Sequence, residues 1–144
     1  MIEELLLKPY WVIDILPEQV TADSARRFAR VEPYWLERQN QVALRERFAA
    51  ILVKLSCYDD LRVCSPDESL NLENPAPAEL VRRLTDAGED LLFVLEEANC
   101  LITANRGDLC MTVYNPSEAL RRRIAALAVS EGLFFWQPPQ ETNA

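Results

Sequence analysis

Between residues 90 and 136, three short apolar runs, a helix-start signal and a closing aromatic run follow one another with little chain between them. Leu91 to Leu95, Cys100 to Ala104 and Leu109 to Tyr114 are joined by Glu96-Glu97-Ala98-Asn99 and Asn105-Arg106-Gly107-Asp108. Links this short reach an antiparallel neighbour but cannot hold a parallel crossover, so a three-stranded meander is expected. Asn115 is expected to cap the helix that follows, with Pro116 in its first position and Glu118 completing a capping-box-like arrangement. Leu120, Ile124, Leu127 and Ala128 form its apolar stripe. Gly132 can end it in the left-handed conformation, and Leu133-Phe134-Phe135-Trp136 then returns as a strand that Pro138-Pro139 stops.

Upstream, Tyr10-Trp11-Val12-Ile13-Asp14-Ile15-Leu16 lies between Pro9 and Pro17 and is rich in β-branched and aromatic residues. It reads as a strand with Trp11, Ile13 and Ile15 on one face and Tyr10, Val12, Asp14 and Leu16 on the other. Residues 18–31 read as a polar connection with a short helical turn from Asp23 to Arg30. Leu44, Phe48, Ile51 and Leu55 then fall on one helical stripe, with Arg38, Arg45, Arg47 and Lys54 off it. One long helix over residues 33–56 is expected, started by Pro33. Leu61 to Cys64 reads as a short edge strand and residues 65–74 as a polar loop. A second helix starts near Pro75 or Pro77 and ends at Gly88, with Leu80, Leu84 and Ala87 inside.

This order predicts an α+β fold in two layers: a mainly antiparallel sheet of five to six strands with about three helices packed on one face. A single domain over residues 1–144 is expected, with 1–7 and 138–144 as loose ends.

The chain has 23 acidic and 15 basic residues, a formal charge of -8, so its mean field repels nucleic-acid backbones and anionic membranes. Arg26, Arg27 and Arg30, and Arg121, Arg122 and Arg123, read as solvated helix faces. The longest apolar runs, 48–53 and 124–129, are far short of a membrane span. Residues 1–7 lack a secretory pattern, so the cytoplasm is the expected location.

The absence of histidine removes the commonest general base and metal ligand, and with them Ser-His-Asp and Cys-His mechanisms. Cys57, Cys64, Cys100 and Cys110 show no paired C-x-x-C spacing and read as thiols, so neither metal nor cofactor is expected. Glu96-Glu97 and Asp59-Asp60 read as solvated turn charges, and Arg106-Gly107-Asp108 as a turn rather than an adhesion signal. Asp14 stands apart. A carboxylate flanked by apolar residues on a central strand needs a partner or a raised pKa, which makes it the one catalytic candidate.

Pro-Tyr-Trp occurs at 9–11 and again at 33–35, and Phe134-Phe135-Trp136 must alternate between the two faces of its strand. Tyr10, Trp11, Tyr34, Trp35, Phe134 and Trp136 are therefore candidates for an interaction surface.

The segments Lys8-Pro9-Tyr10-Trp11-Val12-Ile13-Asp14-Ile15-Leu16-Pro17, Leu55-Ser56-Cys57-Tyr58 and Glu131-Gly132-Leu133-Phe134-Phe135-Trp136 resemble those of a family of small uncharacterised bacterial proteins. The likeness runs over most of the chain and implies a single bacterial cytosolic domain. The family has no assigned activity, so no site residue carries over. The expected function is a non-enzymatic protein-interaction or self-associating module, a homodimer by preference. One alternative is a small-molecule binder or histidine-free enzyme with Asp14 in a pocket between sheet and helix. Another is an acidic inhibitor or immunity-type protein.

Overall fold

The computed structural model describes residues 2–86 and 89–140. Ile2–Leu5 (α1) precedes strand Tyr10–Asp14 (β1), and a 3-10 turn at Ala22–Ser24 leads into helix Ala25–Leu36 (α2). Helix Arg38–Leu55 (α3), strands Arg62–Cys64 (β2) and Asn71–Glu73 (β3), and helix Pro77–Thr85 (α4) follow. Strands Leu91–Leu95 (β4), Cys100–Ala104 (β5) and Cys110–Tyr114 (β6) come next, then helix Glu118–Ser130 (α5) and strand Phe134–Trp136 (β7). The sheet has the order β3-β2-β4-β5-β6-β1-β7, and every pairing in it is antiparallel.

The α+β class is as the sequence implied, but among the described residues seven strands and five α-helices replace the expected five to six and three. One of the additions comes from a segment too polar to signal itself. Asn71–Glu73, expected as loop, pairs with β2 and takes the edge, so β2 is an inner strand. Its Leu72, opposite Val63, is the only apolar side chain in the strand.

The expected long helix is two helices. Trp35 and Leu44 are about two and a half helical turns apart, so a straight helix would point them in opposite directions. A break lets both pack on the core. Pro33 lies inside α2 rather than opening a helix, and Glu37 adopts an extended ψ of 137°. The Glu37 carbonyl then accepts from Gln41 N–H at 2.9 Å to begin α3.

Ile13, Met111, Val113, Ile102 and Phe93 face a core closed by Phe48, Ile51 and Leu52 of α3, Leu80 and Leu84 of α4, and Leu120, Ile124 and Ala128 of α5. These three helices make the expected second layer. The ends of the chain meet in the sheet: Ile13 of β1 pairs with Met111 on one side and Phe135 on the other. The opposite sheet face carries a smaller cluster of Cys64, Leu92, Val94 and Leu101. Over it sits α1, expected as a loose end, with Leu5 only 2% exposed. At the other expected loose end, the Gln140 side-chain oxygen accepts from Tyr10 N–H at 3.0 Å, and residues 141–144 lie outside the described residues.

Helix α5 begins two residues later than its sequence signal. Ser117 is its cap and accepts from Leu120 N–H, while Asn115 sits at φ +62° and donates its amide to the Asn99 carbonyl. Gly132 ends the helix at φ +74°, the left-handed conformation expected of it. Pro77 opens α4, and the expected stop at Gly88, like Ala87, lies outside the described residues. Among the described residues no helix is long and apolar enough to cross a membrane.

Candidate functional site

Where β1 ends and β6 begins, the sheet opens into a cavity of about 300 Å³. Its sheet-side wall is Asp14 and Leu16 from β1 and its exit, Asp108, Leu109 and Cys110 from the entry to β6, and Trp136 from β7. The facing wall comes from the segment after β1, with Glu18, Gln19 and Val20, and from α2, with Phe28 and Glu32. Four acidic residues thus line the cavity together with Leu16, Val20, Phe28, Leu109 and Trp136, and among the described residues no Lys or Arg lines it.

Asp14 is half-buried, and its Oδ1 accepts from Ile15 N–H at 2.8 Å. Burial pushes its carboxyl above the usual range, against the lowering effect of the Ile15 and Leu16 amides. Cys110 on the neighbouring strand reports the same field. Its thiol is pushed up to about 11, first by burial and then by the charges of Asp14 and Asp108. Trp136 is held as a wall by its indole N–H, which donates to the Leu16 carbonyl at 2.9 Å.

The aromatic candidates do not gather on one surface. Tyr10, Phe134 and Trp136 lie on the sheet face away from the main core, and Tyr10 packs its ring 5.7 Å from that of Tyr114. Trp11 lies on the helix-covered face, beneath the Arg121 guanidinium 4.8 Å from its ring centre. Tyr34 and Trp35 stack edge to face on α2, 5.6 Å apart. Of the six, only Trp136 borders the cavity.

The arginine triplet of α5 serves three separate contacts. Arg121 covers Trp11, Arg122 pairs with Glu118, and Arg123 lies 4.3 Å from the centre of the Tyr58 ring and 3.5 Å from Asp59. Arg45, which lies off the apolar stripe of α3, is nevertheless only 2% exposed. Its Nε–H donates to the Leu84 carbonyl at the end of α4, and its Nη1 donates to Asn105 in the β5–β6 turn at 3.4 Å. Burial lowers its pKa, opposed by the charges of Asp108 and Asp90.

Cys64 and Cys100 are buried, and Cys100 is pushed up to about 12 by burial and the Asp59 charge. Such thiols are poor nucleophiles at neutral pH. Among the described residues no three Cys, Asp or Glu side chains converge closely enough to hold a metal ion. Other hollows offer less chemistry: one of about 600 Å³ is bounded by only Glu37, Arg38, Gln39 and Val42.

Asp14 was visible in the sequence because it interrupts an apolar strand. Glu18, Phe28, Glu32 and Asp108 were not. A helix assumed to start at residue 33 cut Phe28 and Glu32 away from Trp35, although 28, 32 and 35 share a helical face. The cavity also differs from the pocket expected between sheet and long helix, since its helical wall is α2 rather than α3.

Comparisons of the chain with protein-family models, curated proteins and solved structures give no match.

Proposed function

We propose that this chain is a non-enzymatic binding protein whose cleft beside Asp14 takes a small organic cation. One observation carries the reading: half-buried Asp14 and the exposed Glu18, Glu32 and Asp108 line a cleft with apolar walls, and among the described residues no basic side chain lines it. Burial disfavours the charged form of Asp14, and a cation bound beside it would restore that form. Trp136 and Phe28 add ring faces suited to a positive charge or to the apolar body that bears it.

Thermal melting against a panel of amines, neutral alcohols and carboxylates of matched size tests this reading. Amines alone are expected to raise the melting temperature, and Asp14→Asn is expected to abolish the rise. Equal shifts from alcohols, or an amine effect that survives both Asp14→Asn and Asp108→Asn, reject it.

A second reading, self-association into a homodimer, has its own observation. Helix α2 buries none of its residues completely, and Val31 and Tyr34 are 48% and 57% exposed on it. Burying such side chains against a second copy would be favourable. Light scattering over a concentration series decides: growth of a dimer that Tyr34→Ser reduces supports this reading, and a constant monomer mass rejects it.

A further inference from the structure

We infer that this chain dimerises by exchange: residues 2–36, which carry α1, β1 and α2, leave their own sheet and take the same places in a second copy, with Glu37 as the hinge. This goes beyond the docked dimer of the second reading, which needs no exchange, and it does not depend on what the cleft binds. Glu37 is the single residue between Leu36, the last of α2, and Arg38, the first of α3. Its φ of -57° is already helical and only its ψ of 137° breaks the helix, so turning that one angle to about -42° makes residues 25–55 continuous. Nothing local demands the break. Residues 34–41 hold neither glycine nor proline, and Glu37, Arg38, Gln39 and Gln41 all favour helix. Pro33 lies inside a helix in either form and so selects neither. A continuous helix pairs the amides of Arg38, Gln39 and Asn40 with the carbonyls of Tyr34, Trp35 and Leu36, in return for the bond that the Asn40 side chain donates to the Tyr34 carbonyl at 2.7 Å.

The break is held by tertiary packing: Phe28 and Trp35 lie against the main core, and upstream of them β1 sits between β6 and β7. A second copy reproduces every one of those contacts. Its β1 meets β6 and β7 in the registers that set Val12 opposite Thr112 and Trp136, because the exchanged segment has the same sequence. Straightening therefore gains helix bonds while the packing of β1 and α2 is kept, which is why a short hinge held against its local preference invites exchange. Val31 and Tyr34, 48% and 57% exposed near the end of α2, lie close to the hinge where the two copies cross. The exchange also makes the cleft a shared one: Asp14, Glu18 and Phe28 come from one copy, and Asp108, Cys110 and Trp136 from the other.

Size-exclusion chromatography with light scattering tests the inference on the full chain, warmed at high concentration to just below its melting temperature and then cooled. Proline is tolerated at the first position of a helix, holds the residue before it extended and clashes with the carbonyl four residues back in a continuous helix. Arg38→Pro is therefore expected to stay folded and to lower the dimer fraction about tenfold or more, and Glu37→Ala to raise it. Asp14 stands opposite Cys110 in the β1–β6 pair, so Asp14→Cys can form a disulfide with Cys110, within one chain in the monomer and between chains in the exchanged dimer. Cys57→Ser in the same protein removes the exposed thiol. After oxidation with diamide, the separated dimer is expected to run at twice the chain mass on a denaturing gel without reductant, and the separated monomer at the chain mass. An oxidised dimer that falls to the chain mass, or a dimer fraction that folded Arg38→Pro leaves unchanged, overturns exchange and leaves the docked dimer standing. If Arg38→Pro does not fold, the gel decides alone. A chain that stays monomeric at every concentration, after warming and with Glu37→Ala, overturns exchange and the docked dimer together.

Discussion

The indole N–H of Trp136 donates to the carbonyl oxygen of Leu16 at 2.9 Å, tying the last strand to the first residues of the segment that walls the cleft. The two are far apart in sequence, and the bond exists because β7 pairs with β1 at the register that sets Val12 opposite Trp136. Trp136→Phe keeps an apolar ring in the wall and removes the donor. It is expected to cost about 1 kcal/mol in urea unfolding and to speed amide exchange over residues 16–20. An unchanged midpoint with unchanged exchange would show that the bond anchors nothing.

The start of α5 separates two sequence signals that look alike. Asn115-Pro116 resembles a cap and first helical residue, but Asn115 occupies the left-handed region and Ser117 makes the cap. Ser117→Ala should therefore lower stability by about 1 kcal/mol. Asn115→Gly keeps the positive φ at no steric cost and gives up only an exposed bond to Asn99, so its loss should be a few tenths of that. Equal losses from both variants would return the cap to Asn115.

That displaced cap shows which parts of the fold local patterning reports. The meander was legible because its strands carry apolar residues on both faces and its links are short. Leu91 to Leu95 and Cys100 to Ala104 are buried at every position. β3 was illegible because Leu72 alone faces the core, and the α2–α3 break was hidden because residues 37–43 hold one apolar pair, Val42 and Ala43, too small to set a phase. The cleft was illegible for a different reason. Its carboxylates belong to turns and to a helix face, where isolated charges are ordinary, and only the tertiary fold brings them to Asp14.

Arg45 presents the sharpest contradiction between pattern and structure. Its guanidinium joins α3 to the end of α4 and to the β5–β6 turn that carries Asp108. Arg45→Ala removes both bonds and opens a void, and a loss of about 3 kcal/mol is expected in chemical denaturation. Arg45→Met refills most of the space but leaves the Leu84 and Asn105 carbonyls without this donor, so a loss of about 1–2 kcal/mol should remain. A methionine variant as stable as the parent would mean that burying the guanidinium costs as much as its bonds return.

Asp14 should make the protein less stable at neutral pH than a neutral side chain would. Its folded pKa is raised by burial, so between its unfolded and folded values the native state holds the proton more often than the unfolded chain. Stability from this group is therefore fully present below the ordinary carboxylate value of about 3.8 and is lost as pH rises through the raised folded value. Asp14→Asn keeps an oxygen able to accept from Ile15 N–H and carries no charge to desolvate. It should unfold at higher urea than the parent near pH 7, with the advantage shrinking on acidification and vanishing below pH 4. Urea titrations of both proteins from pH 3 to pH 8 read this directly. A variant weaker than the parent at pH 7, or an advantage that does not change with pH, would show that the Asp14 charge is not strained by its surroundings, and the case for a cleft awaiting a counter-charge would lose its electrostatic basis.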